Sequence, residues 1–386
     1  MDVLQNILIY AGSFVLVLSV VVFVHEFGHF QVARWRGVAI DTFSIGFGKT
    51  LIGWRDKHGV QWKIGALPLG GYVKFADDAD AMSTAPREKI EDPAALAEAR
   101  AKGLFHAQPV VTRSLVVAAG PITNFIFSIA AFAVLAFVLG RDIASIDSVV
   151  PDSPAAMAGL RAGDIVQSIN GEAIDEFRDL QRIVSLSPNR PLDIVALRGG
   201  QEVSMQLTPR PSEANPQAGS IGVGHNSSVE NREPINPFAA IAEGANNTWQ
   251  IIAQTGSYIV GVFTGRESGN QIAGPLGIIN VSGQVATSAL SGPDDGDWVG
   301  RLGILALSLL NLAAVLSVAV GIVNLLPIPI LDGGHLLFYA IEGARGGKPL
   351  PPAAQEWAYR AGFAVMASLF LFATWNDITR LFPGAQ

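Results

Sequence analysis

No cysteine occurs in the 386 residues. That excludes disulfides, a thiol nucleophile and thiolate metal ligands, so a bound metal must be held by histidine and carboxylate. Charge is also scarce. Asp, Glu, Lys and Arg supply 15% of the chain, below the roughly 25% usual in soluble domains. The net charge of −7 offers no reason to expect a nucleic-acid partner. Hydrophobic residues reach 49%, and several runs carry no charge at all. Residues 7–24, 115–139 and 303–326 are such runs, each of a length that suits a membrane-spanning helix. A fourth and less apolar segment, about 358–375, contains Arg360 near its start. The lipid bilayer is the expected environment.

Histidine is rare too, six in all, yet two of them stand in His25-Glu26-Phe27-Gly28-His29 at the end of the first run. On a helix, histidines four residues apart project from one face and can reach one Zn²⁺. Glu26 lies beside them, free to act as general base on a water at the metal. An ionisable cluster inside a membrane segment is costly, so it marks function. A soluble protease would carry this motif on an amphipathic helix, not on one apolar all round. A signal peptide is disfavoured by the absence of Lys and Arg ahead of the run and of a cleavage site after it.

Basic residues orient the chain. The stretch 31–113 holds twelve, including Arg34 and Arg36, and the N-terminal tail has none. With four spans, 31–113 and 327–357 fall in the cytoplasm, and 140–302 lies outside. His25 precedes Arg34 by nine residues, roughly 13 Å along a helix. The metal site is therefore expected within the cytoplasmic half of the bilayer.

A third ligand must come from elsewhere. The best candidate is Asp332, in Asn324-Leu-Leu-Pro-Ile-Pro-Ile-Leu-Asp332-Gly-Gly-His335. Pro327 and Pro329 break the third span, and Gly333 and Gly334 permit a tight path around the carboxylate. Irregular backbone at membrane depth is tolerated only where it is buried in protein or lines a wet cavity. The competing reading is a helix hairpin with a polar turn at the interface. His335 is either a support for the site or an ordinary interfacial histidine.

These motifs together resemble the site-2 intramembrane zinc metalloproteases, and most closely the bacterial regulator-of-sigma-E protease (RseP) type. Besides the two metal motifs, Pro68-Leu-Gly-Gly-Tyr-Val-Lys-Phe75, Gly120-Pro-Ile-Thr-Asn124 and Ala273-Gly-Pro-Leu-Gly-Ile278 match that family's pattern. The resemblance implies His25, His29 and Asp332 as zinc ligands and Glu26 as the base. It implies that Asn324 binds substrate backbone or stabilises the oxyanion. It further implies single-span substrates pre-cut by an upstream site-1-type protease, such as anti-sigma factors or signal-peptide remnants. The expected location is the bacterial inner membrane.

Residues 42–75 read as β-favouring runs broken by Gly and Pro. Such a hairpin could hold an unwound substrate by strand addition, or simply pack beneath the core. The family's membrane-dipping β-element supports the first. The segment 77–103 reads as a solvated helix or loop. Residues 153–171, with a short helix, Gly163-Asp164, a strand and the turn pair Asn170-Gly171, resemble the core of a bacterial PDZ domain. Such a domain would either capture new C-termini or exclude substrates with bulky outer parts. Members of the family often carry two such modules, and this chain has one. Residues 211–235 read as a polar linker. Apolar residues from Phe238 to Phe263 recur at helical spacing, which suits an interfacial helix or one packed on the module.

The expected architecture is a polytopic α-helical membrane protein with about four transmembrane helices, a membrane-associated β-hairpin element and an inserted α+β PDZ domain. Its parts are a first span (1–36), a cytoplasmic loop (37–113), a second span (114–139), the PDZ domain (140–210), a linker with an interfacial helix (211–302), and the last two spans (303–386). The rival functions are a non-catalytic membrane scaffold or chaperone, which would need an altered Glu26 or ligand, and a transporter, which the lack of paired halves disfavours.

Overall fold

The computed structural model describes residues 3–76, 90, 92–212, 216–225, 232–269, 273–291 and 298–381. In chain order, helix α1 (Val3–Trp35) leads to strands β1 (Ile40–Arg55) and β2 (Gln61–Phe75), the short helix α2 (Pro93–Ala101) and helix α3 (Val110–Leu139). Then follow β3 (Arg141–Asp142), β4 (Ser148–Val149), α4 (Pro154–Met157), β5 (Ile165–Ile169), β6 (Glu172–Ala173) and α5 (Phe177–Ser185). After these come β7 (Leu192–Arg198), β8 (Gln201–Leu207), β9 (Arg210–Pro211), β10 (Gly219–Ser220), β11 (Val223–Gly224) and β12 (Arg232–Glu233). Helices α6 (Pro237–Phe263), α7 (Pro275–Leu290), α8 (Trp298–Asn324), α9 (Asp332–Ala344) and α10 (Pro352–Leu381) complete the chain. It divides into two compact units, Ala133–Ala242 and the remainder.

Among the described residues, four helical segments are long and apolar enough to cross a bilayer: Leu4–Trp35, Val110–Leu139, Trp298–Asn324 and Pro352–Arg380. They leave large apolar side chains uncovered, among them Leu8, Ile126, Ile304 and Leu371. Water would penalise such a surface, and lipid does not. This is a membrane protein. The third expected span ends at Asn324, where Pro327 and Pro329 stop the ladder, and a separate helix, α9, begins at Asp332.

The first unit is organised around α1. Val17 and Val21 pack on Ala313 of α8. Lower down, Phe30 meets Phe43 and Trp62 at centroid distances of 5.3 and 5.2 Å, which pins the strands to the helix. Both long strands bend sharply. Residues 40–45 pair antiparallel with 71–75, and 52–55 with 61–64, while 42–45 also lie beside 61–64 in the same chain sense. The bend requires Gly46, at φ +86°, because a Cβ there would fall 2.8 Å from the Leu67 carbonyl oxygen. The product is a four-segment sheet with 71–75 at one edge. In the segment expected to be a solvated helix or loop, 93–101 forms α2, and 77–89 and 91 lie outside the described residues.

The unit Ala133–Ala242 is built on a sheet of order β6-β5-β7-β8 over a core of Ile146, Val166, Ile169, Leu180 and Ile194. Asn170 and Gly171, both at positive φ, make the two-residue turn between β5 and β6. The segment expected to be a polar linker is different. Its described parts pair back as strands, β10 with β9, β11 with β4, and β12 with β3. Ile221 is buried in the core, and the His225 ring stacks on Phe177 and lies 3.0 Å from Asp142. A polar composition concealed this, because short strands tied by backbone bonds need few apolar residues.

Asp164 is the buried polar anchor of this unit. Its carboxylate accepts two 2.7 Å hydrogen bonds from Arg198 and one of 2.8 Å from the Arg161 N–H. Burial pushes its pKa up, but the Arg198 hydrogen bond, the Arg161 N–H and the two positive charges outweigh it, so the pKa ends below the usual carboxylate range. A depressed carboxylate contributes stability that is full above its unfolded pKa and is lost as pH falls through the folded one. Hydrogen exchange of the intact protein at neutral pH should show Asp164→Asn lowering protection of β5 and β7 by roughly 2–3 kcal/mol. That difference should shrink towards zero in acid, after correction for intrinsic exchange. A penalty that persists undiminished in acid would contradict the ion-pair explanation.

Candidate metal centre

The last turns of α1 present His25, Glu26 and His29, and the first residue of α9 presents Asp332. His25 Nε2 lies 3.2 Å from His29 Nε2 and 3.2 Å from Asp332 Oδ2, and His29 Nε2 lies 3.4 Å from the same oxygen. Among the described residues these three form the one group of three or more His, Cys, Asp or Glu side chains able to share a metal ion. Asp332 Oδ2 is buried and lacks a hydrogen-bond donor. The separations match the edge of a tetrahedron with zinc-length arms, about 3.3 Å. A cation fits both the geometry and the orphaned oxygen.

Close packing makes this approach possible. Gly28 lies against Ala119 and Thr123 of α3, and Gly120 of α3 lies against both imidazoles, where a Cβ would collide with His29 Nε2 and His25 Cε1. Across the site, Gly333 sits against the Leu325 and Leu326 carbonyls, folding the proline-containing turn onto the start of α9. Arg113 of α3 holds α9 in place. Its guanidinium donates at 2.7 Å to the buried Glu342 carboxylate and covers the Tyr339 ring at 4.8 Å.

Glu26 is bounded by the edge segment 71–75. A Cβ on Gly71 would fall 2.9 Å from Glu26 Cγ, and the Val73 backbone N–H faces the Glu26 carboxylate. The three clustered ligands and Glu26 all open onto one cavity of about 600 Å³, which also reaches Tyr72, Arg113 and Tyr359. His335 lines that cavity too, but packs between Phe338 and Tyr359 and stands outside the three-atom cluster. Asn324 is not among the cavity residues. Its amide donates to the Val320 carbonyl at 3.0 Å, within its own helix.

Sequence reasoning assigned no role to Val73, Val116 or Asn124, although Val116 and Asn124 meet the imidazoles and Val73 adjoins Glu26. Val73 and Val116 act through backbone atoms and leave no trace in residue type. Asn124, a polar residue in an apolar span, carried a readable signal.

The sequence pattern of peptidase family M50 matches residues 13–369. The chain belongs to that family. It is 42% identical to a Rhizobium meliloti protein named as a candidate zinc metalloprotease, over 98% of this chain and 99% of that one. An Agrobacterium fabrum protein of similar name is 43% identical over 96% of each chain. Metalloprotease MmpA of Caulobacter vibrioides is 39% identical over 97% of this chain and 96% of its own length.

Proposed function

We propose that this M50 peptidase hydrolyses peptide bonds inside the transmembrane segments of membrane proteins already shortened by a first protease. As a family member with near full-length zinc metalloprotease relatives, it is a membrane zinc metalloprotease. The observation that carries the finer reading is the convergence of Asp332 on His25, Glu26 and His29 of α1, a helix long and apolar enough to span lipid.

His25, His29 and Asp332 would hold the ion. When bound, Zn²⁺ supplies Lewis acidity, acidifying water and polarising a carbonyl. Glu26 takes the proton of the attacking water and returns it to the leaving amine. A helical substrate shields its peptide bonds, so it must unwind first. The edge segment 71–75 lies next to Glu26 and offers strand partners to an unwound chain, which lipid does not. Asn324 would bind substrate backbone or the oxyanion after releasing its bond to Val320.

The excess of Lys and Arg in 31–113 supports a cytoplasmic loop there, a bacterial inner-membrane location, and a metal site in the cytoplasmic half of the bilayer. Anti-sigma factors and signal-peptide remnants are the substrate classes that suit such a site. Comparing membrane peptides that accumulate in cells with wild-type or Glu26→Gln protein tests this. Single-span fragments should build up with the variant, and identical peptide profiles would contradict the proposal.

The unit Ala133–Ala242, PDZ-like in its 153–171 sequence, is taken to restrict substrates. The proposed ligands and base lie outside it. Its ends are joined by the β3–β12 pairing, so excising 141–233 leaves ends that are already adjacent. The excised protein should still cut a short single-span substrate and should also accept one with its outer domain intact. Capture of new C-termini predicts the reverse, slower cleavage of the shortened substrate and none of the intact one. Loss of both activities with zinc retained would make the unit a required docking site.

A further inference from the structure

Val116, Gly120 and Asn124 follow one another at four-residue spacing on α3, which puts them in one row along the helix. Each meets the paired imidazoles. His29 Nδ1 lies 2.9 Å from the Val116 carbonyl oxygen. A carbonyl only accepts, so His29 carries its proton on Nδ1 and turns the lone pair of Nε2 towards Asp332. Gly120 leaves room for both rings to lie against the helix. Asn124, fully buried, places its amide 3.2 Å from His25 Nδ1.

With its NH₂ group set against His25, the Asn124 amide leaves Oδ1 buried without a donor. Turning it by 180° exchanges the two atoms and puts the oxygen on Nδ1. We infer that Asn124 is a positioning residue for the metal centre, accepting the Nδ1–H of His25 and thereby presenting the Nε2 lone pair to the point His29 and Asp332 also face. With that bond, both imidazoles have the same tautomer, one set by a backbone carbonyl and the other by a side chain. The alternative amide orientation would place a proton on His25 Nε2, facing His29 Nε2 at 3.2 Å and blocking coordination. Partners of this kind fix ring orientation and raise metal affinity. The inference rests on His25, His29 and Asp332 being the ligands.

The backbone beneath Asn124 is held firmly. Its main-chain carbonyl oxygen lies 2.9 Å from Ser128 Oγ and accepts from Ser317 Oγ at 3.1 Å, and the single Ser128 hydroxyl proton is shared between that carbonyl and the Ala314 carbonyl. Ser128 therefore supplies a control that loosens the same helix contact without touching either imidazole.

The test measures zinc affinity of the purified full chain by competition with a chromophoric chelator, together with the visible spectrum of the Co²⁺-substituted protein. Asn124→Ala should weaken zinc binding about 10–100-fold and alter the cobalt bands. Asn124→Asp, whose carboxylate still accepts the proton, should bind as tightly as wild type or tighter, and Ser128→Ala should match wild type. If Asn124→Ala does not fold, Asn124→Leu, similar in size but without an acceptor, replaces it against Asn124→Asp. Wild-type affinity and spectrum in the folded Ala or Leu variant would overturn the inference. So would an Asp variant as weak as the Ala variant, or a Ser128→Ala loss of equal size. A wild-type chain that binds no stoichiometric zinc would instead overturn the ligand assignment beneath it.

Discussion

Replacing Glu26 with Gln is expected to lower peptide hydrolysis by about 10²–10⁴-fold while metal content stays at the wild-type level. Glutamine keeps the size of the side chain, and its carbonyl oxygen can still face the Val73 backbone N–H as the carboxylate does. The edge segment 71–75 therefore has no reason to move. What disappears is the ability to take a proton from water and return it to the departing amine. Glu26 contributes no atom to the three-membered cluster, so the ion should remain. Purified variant and wild-type proteins, assayed on the same single-span substrate with zinc measured in parallel, separate these effects. Near-normal turnover would rule out Glu26 as the base, and loss of zinc would give it a structural role instead.

Asp332→Ala is expected to remove both metal and activity. It leaves two imidazoles, fewer protein ligands than the three typical of a catalytic zinc site. The helix that carries Asp332 should stay in place, because Arg113 and Glu342 join it to α3 independently of the metal. Elemental analysis should then find well below one zinc per chain in a protein of unchanged helical content. Full occupancy would mean that the third ligand lies elsewhere, and His335, which lines the same cavity, would be examined first.

Much of the site was legible in the sequence, for identifiable reasons. His25 and His29 lie four apart at the end of a charge-free run, and that spacing alone puts them on one face of a helix. Asp332 stood out because Pro327, Pro329, Gly333 and Gly334 make little sense within a membrane segment unless the chain turns there for a purpose. Three of the four spans followed from charge-free length, and the fourth, with Arg360 near its start, from apolar length alone. Other features were not legible. The folding of β1 and β2 into a four-segment sheet depends on bends at glycines such as Gly46, and glycine-rich runs permit many paths. Strands β10 to β12 consist of two residues each, too few for a periodic pattern. Helix α7 begins where Gly274 and Gly277 donate backbone N–H groups to the Asp377 carboxylate, a partner about a hundred residues away in sequence.

The central claim is that the bond broken lies at membrane depth. Wild-type protein reconstituted into lipid vesicles with a shortened single-span substrate, followed by intact-mass analysis of both fragments, tests it most directly. The account predicts new termini inside the substrate's hydrophobic segment, absent when the Glu26→Gln protein is used or when zinc is chelated. Termini confined to the flanking polar residues, or fragments that form equally with the variant, would contradict it.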